Sequence, residues 1–249
     1  MPPVIETQKL TKRYGKMVAV DELDLSVPAG CVTALLGGNG AGKTTTLSLL
    51  LGLLKPTSGG IRIFGRDFVA NRFPALARMN FSSPYVDLPQ RLTVRENLTV
   101  YAKLYGFAKT GAVVERLAEE LQLKEFLDRR LRRLSSGQKT RVSLAKAFVN
   151  EPDLLLLDEP TASLDPETTA WVREFLSDYC QRKNASILLA SHDMREVEIL
   201  CREVLLLRRG RLVERGSPSE LLERFGRETL EEVFLDVAGK EGRGGGEDT

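Results

Sequence analysis

Gly37-Gly38-Asn39-Gly40-Ala41-Gly42-Lys43-Thr44 has the form G-x-x-x-x-G-K-[ST]. A β-like run, Cys31 to Leu36, stands before it, and a helical run, Thr44 to Leu54, follows. That succession is the layout of a phosphate-binding loop. Its glycines let the backbone wrap a polyphosphate and turn N–H groups inward. The helix behind it aims its positive dipole end at the same anion. Lys43 reaches the outer phosphates, the Thr44 hydroxyl is placed to ligate Mg²⁺, and Thr45 stands in the same first turn. A chain of this length matches the pattern by accident roughly one time in a hundred, so a plain glycine turn is the weaker reading.

Outward from the loop, the first 30 residues alternate apolar and polar positions at Val4-Ile5, Val18–Val20 and Leu23, Leu25, Val27, which predicts short antiparallel strands. In the helix after the loop, Leu47, Leu50, Leu51 and Leu54 fall on one face. Ile61–Phe64 reads as a strand. Roughly 80 to 134 reads as a mostly helical insertion, with periodic segments at Thr93–Tyr105 and Val113–Leu123. Leu154–Leu157 and Ile187–Ala190 are continuous apolar runs, as strands covered on both faces require. Val204–Leu207 and Arg211–Glu214, joined by Arg208-Arg209-Gly210, read as a hairpin. Lys240 to Thr249 has no sizeable apolar side chain and is expected to be disordered.

The 249 residues, 42% hydrophobic and 28% charged, suit one large domain or two small ones. A net charge of +2 does not suggest a nucleic-acid partner, and none is expected. Cys31, Cys180 and Cys201 are widely spaced, which indicates neither a disulfide framework nor a zinc site and favours a reducing cytosol. No basic segment followed by an apolar run opens the chain, and no stretch approaches the roughly 20 apolar residues that span a bilayer. The expectation is a soluble chain whose membrane role, if it has one, comes through a partner.

Further chemistry lies in the second half. The Leu154–Leu157 strand ends in Asp158-Glu159-Pro160, at the ligand edge expected of an open α/β sheet. Asp158 is placed to hold Mg²⁺, directly or through water, and Glu159 to orient or deprotonate a water attacking a γ-phosphate. The plainer alternative is an acidic helix-capping pair. Leu134-Ser135-Ser136-Gly137-Gln138 begins a helix running to about Asn150; Ser135 or Ser136 reads either as an N-cap or as an anion contact. His192, the single histidine, follows an apolar strand and reads either as structural or as a γ-phosphate contact.

Taken together, these residues resemble the nucleotide-binding subunit of an ATP-binding-cassette (ABC) transporter, over nearly all of residues 4 to 225. Walker A is Gly37–Thr44, the signature Leu134–Gln138, Walker B Leu154–Asp158, the D-loop Ser163-Leu164-Asp165, and the switch histidine His192. Tyr14 matches the aromatic that stacks on adenine. The resemblance implies an α/β P-loop NTPase (RecA-like) core with an N-terminal antiparallel β subdomain and a helical subdomain inserted at about 80–150. The ATPase domain would span 1–225, and 226–249 would be a C-terminal extension. It also implies ATP and Mg²⁺, with Glu159, His192 and Lys43 catalytic. Two cassettes, identical or not, would pair head to tail, so that the signature serine and glycine of one contact the γ-phosphate on the other's Walker A, with Ser135, Ser136, Gly137, Gln138 and Asp165 counted among the nucleotide-binding residues. A transmembrane permease would be the working partner, with the subunit peripheral to the cytoplasmic face of the membrane.

Three positions depart from the pattern. Gly38 stands where the family often has proline, and Ser136 where it often has glycine, either crowding the partner's phosphate or donating to it. The usual Q-loop glutamine falls on Pro84, and Gln90 lies too near Leu92-Thr93-Val94 to replace it without a gap. A serine or a water then takes the role, or coupling differs, and hydrolysis is expected to be slow but real. Arg129, Arg130, Arg132 and Arg133 form a solvated face or a permease or lipid contact. Leu230–Leu235 resembles the tail of export cassettes and leans the expected direction towards export. The competing readings are a non-transport ABC ATPase and a nucleotide-gated binding module with weak hydrolysis. A single cassette, with about 90 residues between Walker A and the signature, counts against the first.

Overall fold

A computed structural model describes residues 2–83, 88–162 and 164–239. The chain forms two compact units, Met1–Arg72 with Leu188–Thr249, and Phe73–Ile187. The second is inserted into the sequence of the first.

The first unit begins with β1 (Ile5–Tyr14), which pairs antiparallel with β2 (Met17–Leu23) and β3 (Ser26–Val27). β1 is longer than the short strand predicted at Val4-Ile5 because its alternation is interrupted. Lys9 takes a left-handed φ of 45° and shifts the register, so the buried positions pass from Ile5 and Thr7 to Leu10. Buried Thr7 ties the layer together: its hydroxyl donates to Leu23 O at 2.7 Å and accepts from Leu25 N at 2.9 Å. Next come β4 (Val32–Leu36), buried throughout, and α1 (Lys43–Leu50). β5 (Ser58–Ile63) lies antiparallel on β1, and β6 (Arg66–Asp67) on β5. The helix stops short of the predicted Leu54, since Gly52 turns the chain at φ 67°. Its buried face is Thr46, Leu47, Leu49 and Leu50; Leu51 and Leu54 are only half-buried.

The second unit contains α2 (Phe73–Leu76), β7 (Met79–Ser82), α3 (Val94–Leu104), α4 (Thr110–Glu120), α5 (Ser136–Ala147), β8 (Leu154–Asp158) and α6 (Pro166–Lys183). β7 runs parallel to β8, with Met79 opposite Leu154 and Ser82 opposite Leu157. A strand therefore occupies the start of the stretch read as mostly helical. Four residues are too few for periodicity to reveal, and β7 is fixed from outside: Lys146 donates to Phe81 O at 2.7 Å and Asn150 to Met79 O at 3.0 Å. Leu154 to Leu157 are fully buried, worth about 1.5–3 kcal/mol each. Phe148 packs edge-on against Phe175 and Tyr179, at centroid distances of 5.0 and 4.5 Å, and the Tyr179 hydroxyl donates to Pro152 O at 3.0 Å.

Within β9 (Ser186–Ala190) the chain returns to the first unit, which continues with α7 (Met194–Leu200), β10 (Glu203–Arg208), β11 (Arg211–Gly216), α8 (Pro218–Phe225) and α9 (Leu230–Gly239). β10 pairs parallel with β4, and β11 antiparallel with β10. The predicted hairpin is present. Its turn residues Arg209 and Gly210 have φ 49° and 78°, the left-handed pair that suits a two-residue connection. Parallel pairs in both units together with flanking helices make the chain an α/β protein. No helix among the described residues is long and apolar enough to cross a membrane.

Candidate functional site

In the first unit the glycine loop leaves the end of β4 and enters α1 at Gly42, the N-cap residue, with φ 101°. A Cβ on Gly42 would stand 2.6 Å from Ala19 O, and one on Gly37 2.7 Å from both the Ala41 methyl and Leu207 O. Both positions admit only hydrogen. Gly40 faces open space, with nothing within 4 Å of where its Cβ would be. Ala41 N donates to Gly38 O at 3.1 Å, which curls Asn39 and Gly40 into the loop's tip. The Lys43 ammonium donates to Gly37 O at 2.5 Å and Gly38 O at 3.5 Å, so the cation is held across the loop it serves. α1 has neither a capping side chain nor an acid in its first turn. By contrast, Thr93, Ser135, Asp165, Asp193 and Ser217 cap α3, α5, α6, α7 and α8. First-turn amides without a side-chain acceptor suit an anionic ligand. Thr44 is exposed and Thr45 half-buried in that turn.

The turn of the β10–β11 hairpin holds the loop from below. Gly210 N donates to Ala41 O at 3.0 Å, and Asp21 N donates to Gly210 O at 2.9 Å. Arg211 adds an ion pair to Asp21 at 2.8 Å. In sequence Arg208-Arg209-Gly210 reads only as a turn; Ala41, the partner of Gly210, is remote in the chain, and no local pattern carries that contact. Tyr14, at the exposed end of β1, has the Lys12 ammonium 5.3 Å from its ring centroid. His192 is exposed and sits between two anchors. Buried Ser191 donates to the buried Glu196 carboxylate at 2.9 Å, and Asp193 caps α7 through Arg195 N and Glu196 N. The histidine is thereby presented from a fixed backbone.

In the second unit the N-cap reading of the signature serines is met at Ser135. Ser135 is an N-cap: its hydroxyl accepts from Gln138 N at 3.2 Å, while Ser135 N donates to Gln138 Oε1 at 3.1 Å. Ser136 occupies the first helical position beside it. Asp165 caps α6 in the same way, accepting from Thr168 N at 2.9 Å and Thr168 Oγ1 at 2.8 Å. These bonds hold its carboxyl below the usual aspartate range. The two helix starts meet: a Cβ on Gly137 would be 3.0 Å from Thr168 Oγ1. They line a cavity of about 700 Å³ with Gln122, Lys124 and Arg141.

Asp158 is buried at the end of β8. Glu159, the next residue, takes a left-handed φ of 51°, a strained conformation for a side chain of this type. It lines a cavity of about 220 Å³ that also receives Ser82, Ser83, Gln90 and Ser136. Pro84, where the departure from the Q-loop falls, lies outside the described residues, as do Ser163 and Lys240 to Thr249. Gln90, which lies too near Leu92-Thr93-Val94 to align with the Q-loop glutamine without a gap, lines the cavity of Glu159. Among the described residues no cluster of three His, Cys, Asp or Glu side chains is suited to a metal.

A family model described as "ABC transporter" matches residues 20–162. The Nod factor export ATP-binding protein I of Paraburkholderia xenovorans is 40% identical over 88% of this chain and 72% of its own length. The bacitracin transport ATP-binding protein BcrA of Bacillus licheniformis is 38% identical over 95% of this chain and 76% of its own. Among solved structures, one described as the ATP binding subunit of an ABC transporter superposes with a TM-score of 0.84 at 29% identity, covering 94% of this chain and 99% of that one. That of cbiO1 from Clostridium perfringens, part of the ABC transporter complex cbiONQ, gives 0.81 at 27%, covering 90% and 92%.

Proposed function

The chain belongs to the ABC transporter ATP-binding proteins, and from that premise we propose that it hydrolyses ATP to drive export through a separate membrane permease, by pairing with a second cassette. The observation that carries the reading is the Gly37–Thr44 loop. Two of its glycines admit no side chain, its helix lacks a side-chain cap, and its lysine spans the rim. Its backbone amides and Lys43 bind the phosphates, and Tyr14 stacks on the adenine. Ser135, Ser136, Gly137, Gln138 and Asp165 contact nucleotide held by the second cassette.

Thr44 and Asp158 are hard oxygen donors, the class Mg²⁺ takes, and too few to form a metal cage alone. They would hold Mg²⁺ together with phosphate and water, and the ion, when bound, would neutralise charge on the phosphates. Glu159 accepts the proton of the attacking water, and His192 contacts the γ-phosphate. The relatives named for Nod factor export and bacitracin transport support the outward direction. The permease selects the cargo and holds the subunit at the cytoplasmic face of the membrane.

Steady-state Mg-ATPase rates of the wild type and Glu159→Gln test the assignment. The wild type is expected to turn over slowly, and the variant about 10²-fold slower or less active still, with ATP binding retained. Equal rates would remove Glu159 from the chemistry.

A further inference from the structure

The C-terminal helix α9 contributes to the phosphate loop. Phe234 and Val237 form, with Gly38, Asn39, Gly40 and Ala41, the walls of a cavity of about 260 Å³ closed by Leu206 to Arg209. A Cβ built on Gly38 would lie 3.7 Å from Phe234 Cζ, an ordinary contact distance, so the ring borders the space in front of that glycine. Gly38 is the position at which the related pattern often has proline. A glycine there gives the loop more conformations to lose when a ligand orders it. A ring from another element stands beside the space that a side chain at position 38 would fill.

The helix that brings this ring is anchored independently of it. Leu230 N donates to Glu198 Oε1 at 2.6 Å, Arg227 makes two bonds to Asp236 at 2.7 and 3.0 Å, and Arg208 donates to Val237 O. Leu230, Val233 and Val237 are buried. Arg208 also ends the strand whose hairpin turn supports Ala41. Phe234 itself is only half-buried, so its ring is not spent on the core.

We propose that Phe234 is a positioning residue for nucleotide binding: facing Gly38 in the cavity they share, its ring limits the conformations open to the phosphate loop, a restraint that proline usually supplies at this position. The proposal rests on the nucleotide reading of that loop. If the loop without the ring spends only about a tenth of its time in the binding conformation, apparent affinity falls about tenfold.

The test is titration of the full chain with a fluorescent ATP analogue, well below the melting temperature, with helix content checked by circular dichroism. Phe234→Ala is expected to raise the dissociation constant about tenfold, and Gly38→Pro in that background to bring it back to within about twofold of wild type. In the wild-type background, Gly38→Pro is expected to give no gain, because the ring already supplies the restraint. Should Phe234→Ala lose helix content, Phe234→Leu, which keeps an apolar contact, is expected to weaken binding about threefold and to be rescued in the same way. A merely structural role would lower the melting temperature and leave the dissociation constant alone. An unchanged constant in the variant that keeps its helix, or a loss that proline does not repair, overturns the proposal while leaving the wild type's ATP binding intact. A wild type that fails to bind the analogue overturns the nucleotide reading as well.

Discussion

At the scale of single residues the phosphate loop depends on atoms that a glycine lacks. Gly210 illustrates this outside the motif itself. It lies at φ 78°, and a Cβ there would meet Ala19 O at 2.8 Å, Val20 Cα at 2.9 Å and Asp21 N at 3.0 Å. All three are backbone atoms and none can swing aside. Gly210→Ala is therefore expected to cost about 1–3 kcal/mol in urea unfolding. Because Gly210 N supports Ala41 O, the same variant is expected to weaken nucleotide binding, whereas a glycine with open space around it, Gly106, should tolerate alanine with only its left-handed strain. Equal effects at the two positions would show that backbone conformation, not close approach, governs both. Lys43, Asp158, Glu159 and the signature residues were legible in the sequence because each lies in a short motif whose spacing is set by one strand, one turn and one helix. Gly210, Phe234 and the Ser191–Glu196 pair were not. Their partners are brought to them by the fold, and no local period encodes a tertiary neighbour.

Elements were legible where one rule governs the whole of them. The buried strands β8 and β9 are continuous apolar runs, and α3 begins with Thr93 and Glu96 in a reciprocal capping box. Reading failed where a second effect intervened. The bulge at Lys9 reverses the parity of β1, and β7 is too short to show any period. Capping also has a pH signature. The bonds from Thr168 hold the Asp165 carboxyl below the usual aspartate range, so its ionised form is favoured by folding. A depressed carboxylate contributes stability above its unfolded pKa and loses it as pH falls through the folded one. The urea midpoint of Asp165→Ala should therefore lie below that of wild type near neutrality, and the gap should narrow as pH falls below about 4. A gap that stays constant would mean that the ionised carboxylate is not what holds the start of α6. Cys31 and Cys201 behave oppositely. Burial pushes both thiols up, so neither is expected to react with a thiol reagent until the chain unfolds.

For the whole molecule, the sequence runs through one unit, leaves it for another and returns, placing Gly37–Thr44 and His192 in the first and Ser135–Gln138, Asp158 and Glu159 in the second. Each unit thus carries only part of the proposed chemistry. The inserted unit exposes two capped helix starts, at Ser135 and Asp165, beside a large polar cavity. Lys124 and Arg141 beside that cavity suit an anion supplied from elsewhere, and the Ser135 cap takes up only the Gln138 amide of the first turn of α5. In the proposed pairing, that anion is the γ-phosphate on a second cassette, and each charge-assisted bond to it is worth about 1.5–3 kcal/mol. Such an interface should form only while the γ-phosphate is present. Glu159→Gln, by slowing hydrolysis, should trap it. Light scattering of this variant with saturating Mg-ATP is therefore expected to report a dimer, reverting to monomer with Mg-ADP. Adding Ser135→Arg should prevent the dimer by setting a bulky side chain at the anion contact, while ATP still binds the variant's own loop. A trapped variant that stays monomeric alone, and also in the presence of every cassette encoded beside it, would leave the exposed helix starts without the role assigned to them.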